Sequence, residues 1–119
     1  MASSQTNAGI KAFTSAEALA ANRRVKLSTG ALTVEYADAG AAAIGVTQHA
    51  CASGDPVSVK LTNVGGTVKI CAADTFAVAA TLYGANDGKV SDTSSGTAYY
   101  YACEECTGAG DMIECIPIV

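Results

Sequence analysis

"RVKLSTGALTVEYA", Arg24 to Ala37, alternates apolar and polar side chains on both sides of Ser28-Thr29-Gly30. Successive side chains of a strand point to opposite faces, so alternation of this kind marks two half-buried strands. A short polar stretch containing glycine between them marks a hairpin.

The same pattern continues toward the C-terminus. "AIGVTQHA" (Ala43 to Ala50) reads as a short strand and "SGDP" (Ser53 to Pro56) as a turn. "VSVKLTNVGGTVKICA" (Val57 to Ala72) predicts a second hairpin, turning near Asn63 to Gly66. Asn86-Asp87-Gly88 and Thr93 to Gly96 supply two more turns. Ala98 to Cys106 and Met112 to Val119 form a closing strand pair joined by "TGAGD". Strands spaced about 10 residues apart, with turn residues between them, predict an all-β fold. The expectation is a small compact β-barrel or sandwich of short antiparallel strands and hairpins. Pro117 cannot donate to a ladder, so the last strand is an edge there or ends there.

Toward the N-terminus the pattern weakens. "TSAEALAAN" (Thr14 to Asn22) has capping-box spacing between Thr14 and Glu17, yet about two turns do not persist unaided. It predicts either one short helical turn or an extended lead-in to a strand, so the fold contains at most one short helix. Residues 1–9 are small and polar, and "IKAF" follows. Residues 1–13 therefore read as a flexible arm with Ile10 and Phe13 as apolar anchors, and residues 14–119 as a single β domain.

Bulk properties narrow the function. At 119 residues the chain has room for one modest core. Large apolar side chains are few: two Phe, five Tyr and no Trp. Such a core gains from association with further copies. Charged residues are 15% of the chain, against roughly a quarter in ordinary soluble domains. A surface short of charge is one that another molecule can cover. The net charge of −4 and the dispersed positive residues argue against nucleic acid. No window reads as a membrane span, and the start lacks the features of a secretory signal. Five cysteines, an odd number, fit a reducing cytosol better than a disulfide framework.

Candidate chemistry is sparse. Cys103 and Cys106 form one Cys-x-x-Cys without a second pair. On a strand, residues three apart face opposite ways and chelate one ion only if the chain turns between them. The alternative reading is a metal or thiol protein using Cys103, Cys106 and Cys115, with Cys71 as a fourth ligand. Packing is the simpler assignment for these thiols. Glu104 and Glu105 are adjacent, so they read as solvated charges that discourage unwanted strand pairing, not as a shared carboxylate site. His49 and Cys51 stand at i and i+2, with no orienting carboxylate close in sequence. Gly65-Gly66 lacks the Lys-Ser/Thr of a phosphate loop. The pattern thus assigns no catalytic, cofactor-binding or metal-ligating residue and no small-molecule substrate. In the triplet Tyr99 to Tyr101, Tyr100 faces one way and Tyr99 and Tyr101 the other. Aromatics on both faces predict a core on one side and an oligomer contact through Tyr99 and Tyr101 on the other.

Two stretches carry a resemblance. "ADAGAAAIGVTQHACASGDPVSVKLTNVGGTVKICAA" and "TAYYYACEECTGAGDMIECIPIV" resemble the phage capsid cement proteins, also called head decoration proteins. The shared order runs through Ala43 to Val46, Ala52 to Val59, Gly66 to Ala72, Gly88 to Val90 and Met112 to Val119. The resemblance implies a non-enzymatic virion protein, made in the bacterial host cytoplasm. Such a protein binds the major capsid protein on the outer surface of the assembled head, commonly as a trimer. Ile10 and Phe13 then become candidate capsid contacts. A head fibre or tail component is the alternative within the virion.

Overall fold

The computed structural model of the chain describes residues 9–64 and 66–118. Ten strands run through them: β1 (Ile10–Ser15), β2 (Arg24–Leu27), β3 (Thr33–Tyr36), β4 (Gly45–Thr47), β5 (Pro56–Leu61), β6 (Val68–Cys71), β7 (Thr81–Gly84), β8 (Val90–Ser91), β9 (Ala98–Ala102) and β10 (Met112–Pro117). The fold is all-β, as the alternation predicts. Two single 3-10 turns, Thr62–Val64 and Asn86–Gly88, are the only helical pieces among the described residues.

The first five strands close a barrel in the order β1-β3-β2-β4-β5. The hairpin of the opening stretch is β2 with β3, paired from Val25↔Tyr36 to Leu27↔Val34. β5 returns antiparallel onto β1 from Ile10↔Lys60 to Thr14↔Pro56, and β1 meets β3 in a short parallel ladder. The remaining strands form a second sheet in the order β6-β10-β9-β7-β8. A parallel bridge, Ala72↔Val90, draws its two outer strands toward each other, so this sheet also curls. The molecule is elongated, 44 × 26 × 23 Å.

Each sheet has its own core. Phe13, Leu19, Val25, Val34, Val57 and Val59 fill the barrel. Ile70, Leu82, Tyr100, Ile113 and Cys115 lead the second cluster, which Val46 of β4 joins from the barrel. Fully burying a side chain of Val, Leu or Ile size contributes about 1.5–3 kcal/mol, so two such clusters supply most of the driving force.

Four local expectations resolve here. The arm assignment fails at residues 10–13, which are ladder residues of β1; residues 1–8 lie outside the described residues. Alternation explains the difference: Phe13 and Ser15 point inward, and the Ser15 hydroxyl lies 2.9 Å from the carbonyls of both Ala52 and Asp55. Thr14 to Asn22 is an extended lead-in. Leu19 pairs with Cys51 and buries its side chain in the barrel, while the Glu17 carboxylate accepts the Tyr36 N–H at 3.1 Å. A ladder offered by neighbouring strands outweighs a helix too short to nucleate. The Val57–Ala72 hairpin is a correction too. β5 pairs in the barrel and β6 pairs with β10, so the residues between are the crossover from one sheet to the other. Finally, β10 lies between β6 and β9, but its ladder with β6 stops at Cys115, so at Pro117 it pairs with Tyr100 alone and is locally an edge where the strand ends.

Gly45 is where the barrel wall is tightest. A Cβ there would meet the Lys60 carbonyl oxygen and lie 2.6 Å from Val59 Cγ1. The first of these is backbone and cannot swing away. Gly45→Ala is expected to cost at least about 1–3 kcal/mol, read as a lower urea midpoint with an unchanged slope. An unchanged midpoint would mean that β4 can move off β5 freely.

The joint between the sheets is built on Arg24. This β2 residue is completely buried, yet no carboxylate salt-bridges it among the described residues. Its guanidinium donates instead to four carbonyls: Ala37 at 2.8 Å, Lys89 at 3.1 Å, Ala41 at 3.3 Å and Ala85 at 3.4 Å. Two belong to the barrel and two to the β7–β8 turn. That turn reaches φ +59° at Asp87 and +71° at Gly88, a conformation glycine adopts without strain. Asp87 N–H donates to Asp38 Oδ1, Ala39 N–H to Asn86 Oδ1, and Arg23 Nη1 to the Asp87 carbonyl. Burial pushes the Arg24 guanidinium below its ordinary pKa, against the smaller opposing fields of Tyr100, Tyr99 and Asp38.

Candidate interaction surface

The thiols do not assemble into a centre. Cys71, Cys106 and Cys115 are buried, Cys51 and Cys103 half-buried, and all are free. The chain does turn between Cys103 and Cys106, but it carries the sulfurs to separate acceptors. Cys106 Sγ donates to the Gly108 carbonyl at 3.1 Å, Cys115 Sγ to Ile113 at 3.3 Å, and Cys71 Sγ lies 3.7 Å from the Gly110 carbonyl. Among the described residues no group of three or more His, Cys, Asp or Glu is placed to hold a metal ion. Burial, then the fields of Cys103, Glu104 and Glu114, pushes the Cys115 thiol up to about 12. Desolvation, then Glu114 and Glu104, raises Cys103 as well. Thiols raised in this way are poor nucleophiles at neutral pH.

His49 and Cys51 do not form a nucleophile–base pair either. His49 Nε2 accepts the Ser58 N–H at 3.1 Å, so Nδ1 carries the proton, 3.1 Å from the Ala50 carbonyl. Cys51 packs against the barrel core. Glu104 and Glu105 are both exposed, and Glu104 does more than solvate: its carboxylate accepts the Glu114 N–H at 2.9 Å where β9 has left the ladder.

The outward face of the second sheet is a surface of different character. Tyr101 on β9 sits directly opposite Ile116 on β10, and each is 47% exposed. Thr81 flanks Tyr101 on its other side, and Met112 lies further along β10. Tyr100 turns inward, where burial raises its phenol to about 12. Tyr99 is half-buried, packs against the second core, and borders a groove of about 230 Å³ with Asn63 and Pro117. Of the expected outward pair, Tyr101 lies on the exposed face, whereas Tyr99 packs against the core. Sequence reasoning passed over Ile116 and Met112, although the alternation Met112, Glu114, Ile116 along β10 carries the signal. Of the two expected capsid anchors, Ile10 is half exposed and Phe13 is inside the barrel, so the Phe13 side chain cannot reach another molecule without unfolding β1.

Comparison with known proteins bears on this surface. The phage cement protein family model matches residues 4–116, nearly the full chain. The chain belongs to the phage cement protein family. No curated protein matches it. Among solved structures, the N base of the head fiber gp8.5 of bacteriophage phi29 superposes with a TM-score of 0.80 over 92% of each chain, at 19% identity. That likeness is one of fold. A cement protein is a structural component of a phage particle associated with the head, and an outward sheet face suits that class better than an enclosed cleft.

Proposed function

We propose that this cement protein binds the outside of the assembled phage head, as a trimer, and stabilises the shell. The observation that supports this most is the exposed Tyr101–Ile116 pair on a sheet whose other face is already a packed core. A monomer gains nothing from leaving such a pair in water, whereas a covered one contributes binding energy. The mechanism is linkage. A protein that binds the closed, expanded shell in preference to an open or broken one stabilises it by mass action, and a trimer multiplies modest contacts into avidity.

The test is direct. Purified protein is mixed with expanded heads lacking it and sedimented, and its native mass is measured separately. The expected results are saturable retention on heads, a mass three times that of the chain, and heads that resist heating better when decorated. A folded sample that binds no head would end this reading. Retention only at one vertex, or only on the tail, would instead favour a head-fibre or tail component.

A further inference from the structure

Charge is unevenly divided along this molecule. From Thr67 onward the chain has seven Asp and Glu against two lysines, Lys69 and Lys89, whereas residues 1–66 are nearly balanced. The excess gathers around the outward face of the second sheet. Glu114 lies between Met112 and Ile116 on β10, Asp111 immediately precedes Met112, and Glu104 and Glu105 follow the end of β9. Glu114 Oε2 is held by the Thr67 hydroxyl at 2.7 Å and Glu104 by the Glu114 N–H, so two of these carboxylates are fixed in place. Lys69, opposite Glu114 in register, is the one nearby cation on that ladder.

We infer that the Tyr101–Ile116–Met112 face, with its rim of Glu104, Glu105, Asp111 and Glu114, docks on a head-shell surface that presents an apolar patch bordered by lysine or arginine. This rests on the head-binding reading above and names the face and the chemistry of its partner. Charge decides between occupants. Two copies meeting through this face would bring like-charged rims together, which repulsion disfavours. The barrel half of another copy offers no strong opposite charge: residues 1–66 carry five Lys and Arg against four Asp and Glu, Arg24 among them is buried, and Lys26 is already paired with Glu35 at 3.5 Å. A basic rim on a different protein satisfies the field, and the apolar centre then supplies the affinity.

The experiment uses expanded heads lacking this protein, with three proteins compared: wild type, the double variant Tyr101→Ser, Ile116→Ser, and Glu105→Lys, whose side chain is exposed. Native mass and thermal melting are recorded for each. The expected pattern is an unchanged oligomer and fold, head binding at least about tenfold weaker for the double variant, and several-fold weaker for Glu105→Lys. Wild-type binding should also weaken as sodium chloride rises. Wild-type binding with full retention of both variants would overturn this inference and leave the head-binding reading intact. Failure of the wild type to bind heads would defeat that reading and the inference with it. A double variant that dissociates into monomers would assign the face to a second copy and overturn the inference.

Discussion

Replacing Arg24 by alanine is expected to destabilise the protein by about 3–5 kcal/mol, enough to leave a domain of ordinary stability largely unfolded on mild heating. The carbonyls of Ala37, Ala41 and Ala85 lose their donor at once, that of Lys89 keeps only the Ala85 N–H, and a void opens between the sheets. Two effects compete. Removing an ion that burial disfavours would by itself stabilise the fold. Orphaning several part-buried acceptors costs about 1–3 kcal/mol for each that water cannot reach, and this outweighs the relief. Arg24→Lys keeps the charge but loses the planar fork, so it should recover less than half of the loss. Gly84 gives an internal check. A Cβ on Gly84 would run into the guanidinium, 2.8 Å from Cζ. Gly84→Ala is therefore expected to be damaging in the wild type and much milder beside Arg24→Ala, a non-additivity measurable by urea titration of the four proteins. An Arg24→Ala variant within about 1 kcal/mol of wild type would show that the two sheets hold together without this joint.

The second large effect is alkaline. Tyr100 rises from 10.0 to about 12, chiefly through burial, with the Arg24 cation opposing and Cys115 and Tyr99 adding. Cys115 rises from 9.0 to about 12, through burial first and then Cys103, Glu104 and Glu114. Both groups are neutral when folded. The unfolded chain releases these protons from about pH 9 and 10, whereas the folded chain keeps them until about 12. Between those limits the unfolded state binds fewer protons, so stability falls as pH rises. It is fully present below pH 9 and lost by 12. At 1.36 kcal/mol per unit, each group contributes about 3–4 kcal/mol, not additively because the two lie in one core. Urea midpoints should be flat from pH 7 to 9 and then decline. The decline should be shallower both in Cys115→Ala, most of all between pH 9 and 10, and in Tyr100→Phe, above pH 10. A wild-type midpoint constant to pH 11 would contradict the burial of both groups.

Much of this architecture is legible in the residues. Ser28-Thr29-Gly30 marks the β2–β3 hairpin, Asn86-Asp87-Gly88 the β7–β8 turn, and period two sends Tyr100 to the core and Tyr101 to the surface, although Tyr99 follows Tyr100 inward. What could not be read is which strand lies beside which. Val57 and Val59 alternate inward in the same way as Val68 and Ile70, and nothing local says that the first pair fills one core and the second another. Gly66 therefore looks like part of a hairpin turn when it belongs to a crossover. Ile10 to Phe13 reads as a loose arm because its ladder partner, β5, is distant in sequence. Arg24 reads as one more dispersed cation, since its acceptors come from two segments that follow it in sequence, the second 61 to 65 residues on. The interaction face was half visible: Tyr101 stands out in a triplet, whereas Ile116 and Met112 matter only once β9 and β10 are paired.

The order of the strands also governs how the chain matures during translation. Every strand of the barrel has left the ribosome before the first strand of the second sheet follows, so that barrel can close on the nascent chain. Arg24 must then wait, still hydrated, until Ala85 and Lys89 emerge. A ribosome stalled between those two events would hold a finished barrel with an unfastened clasp.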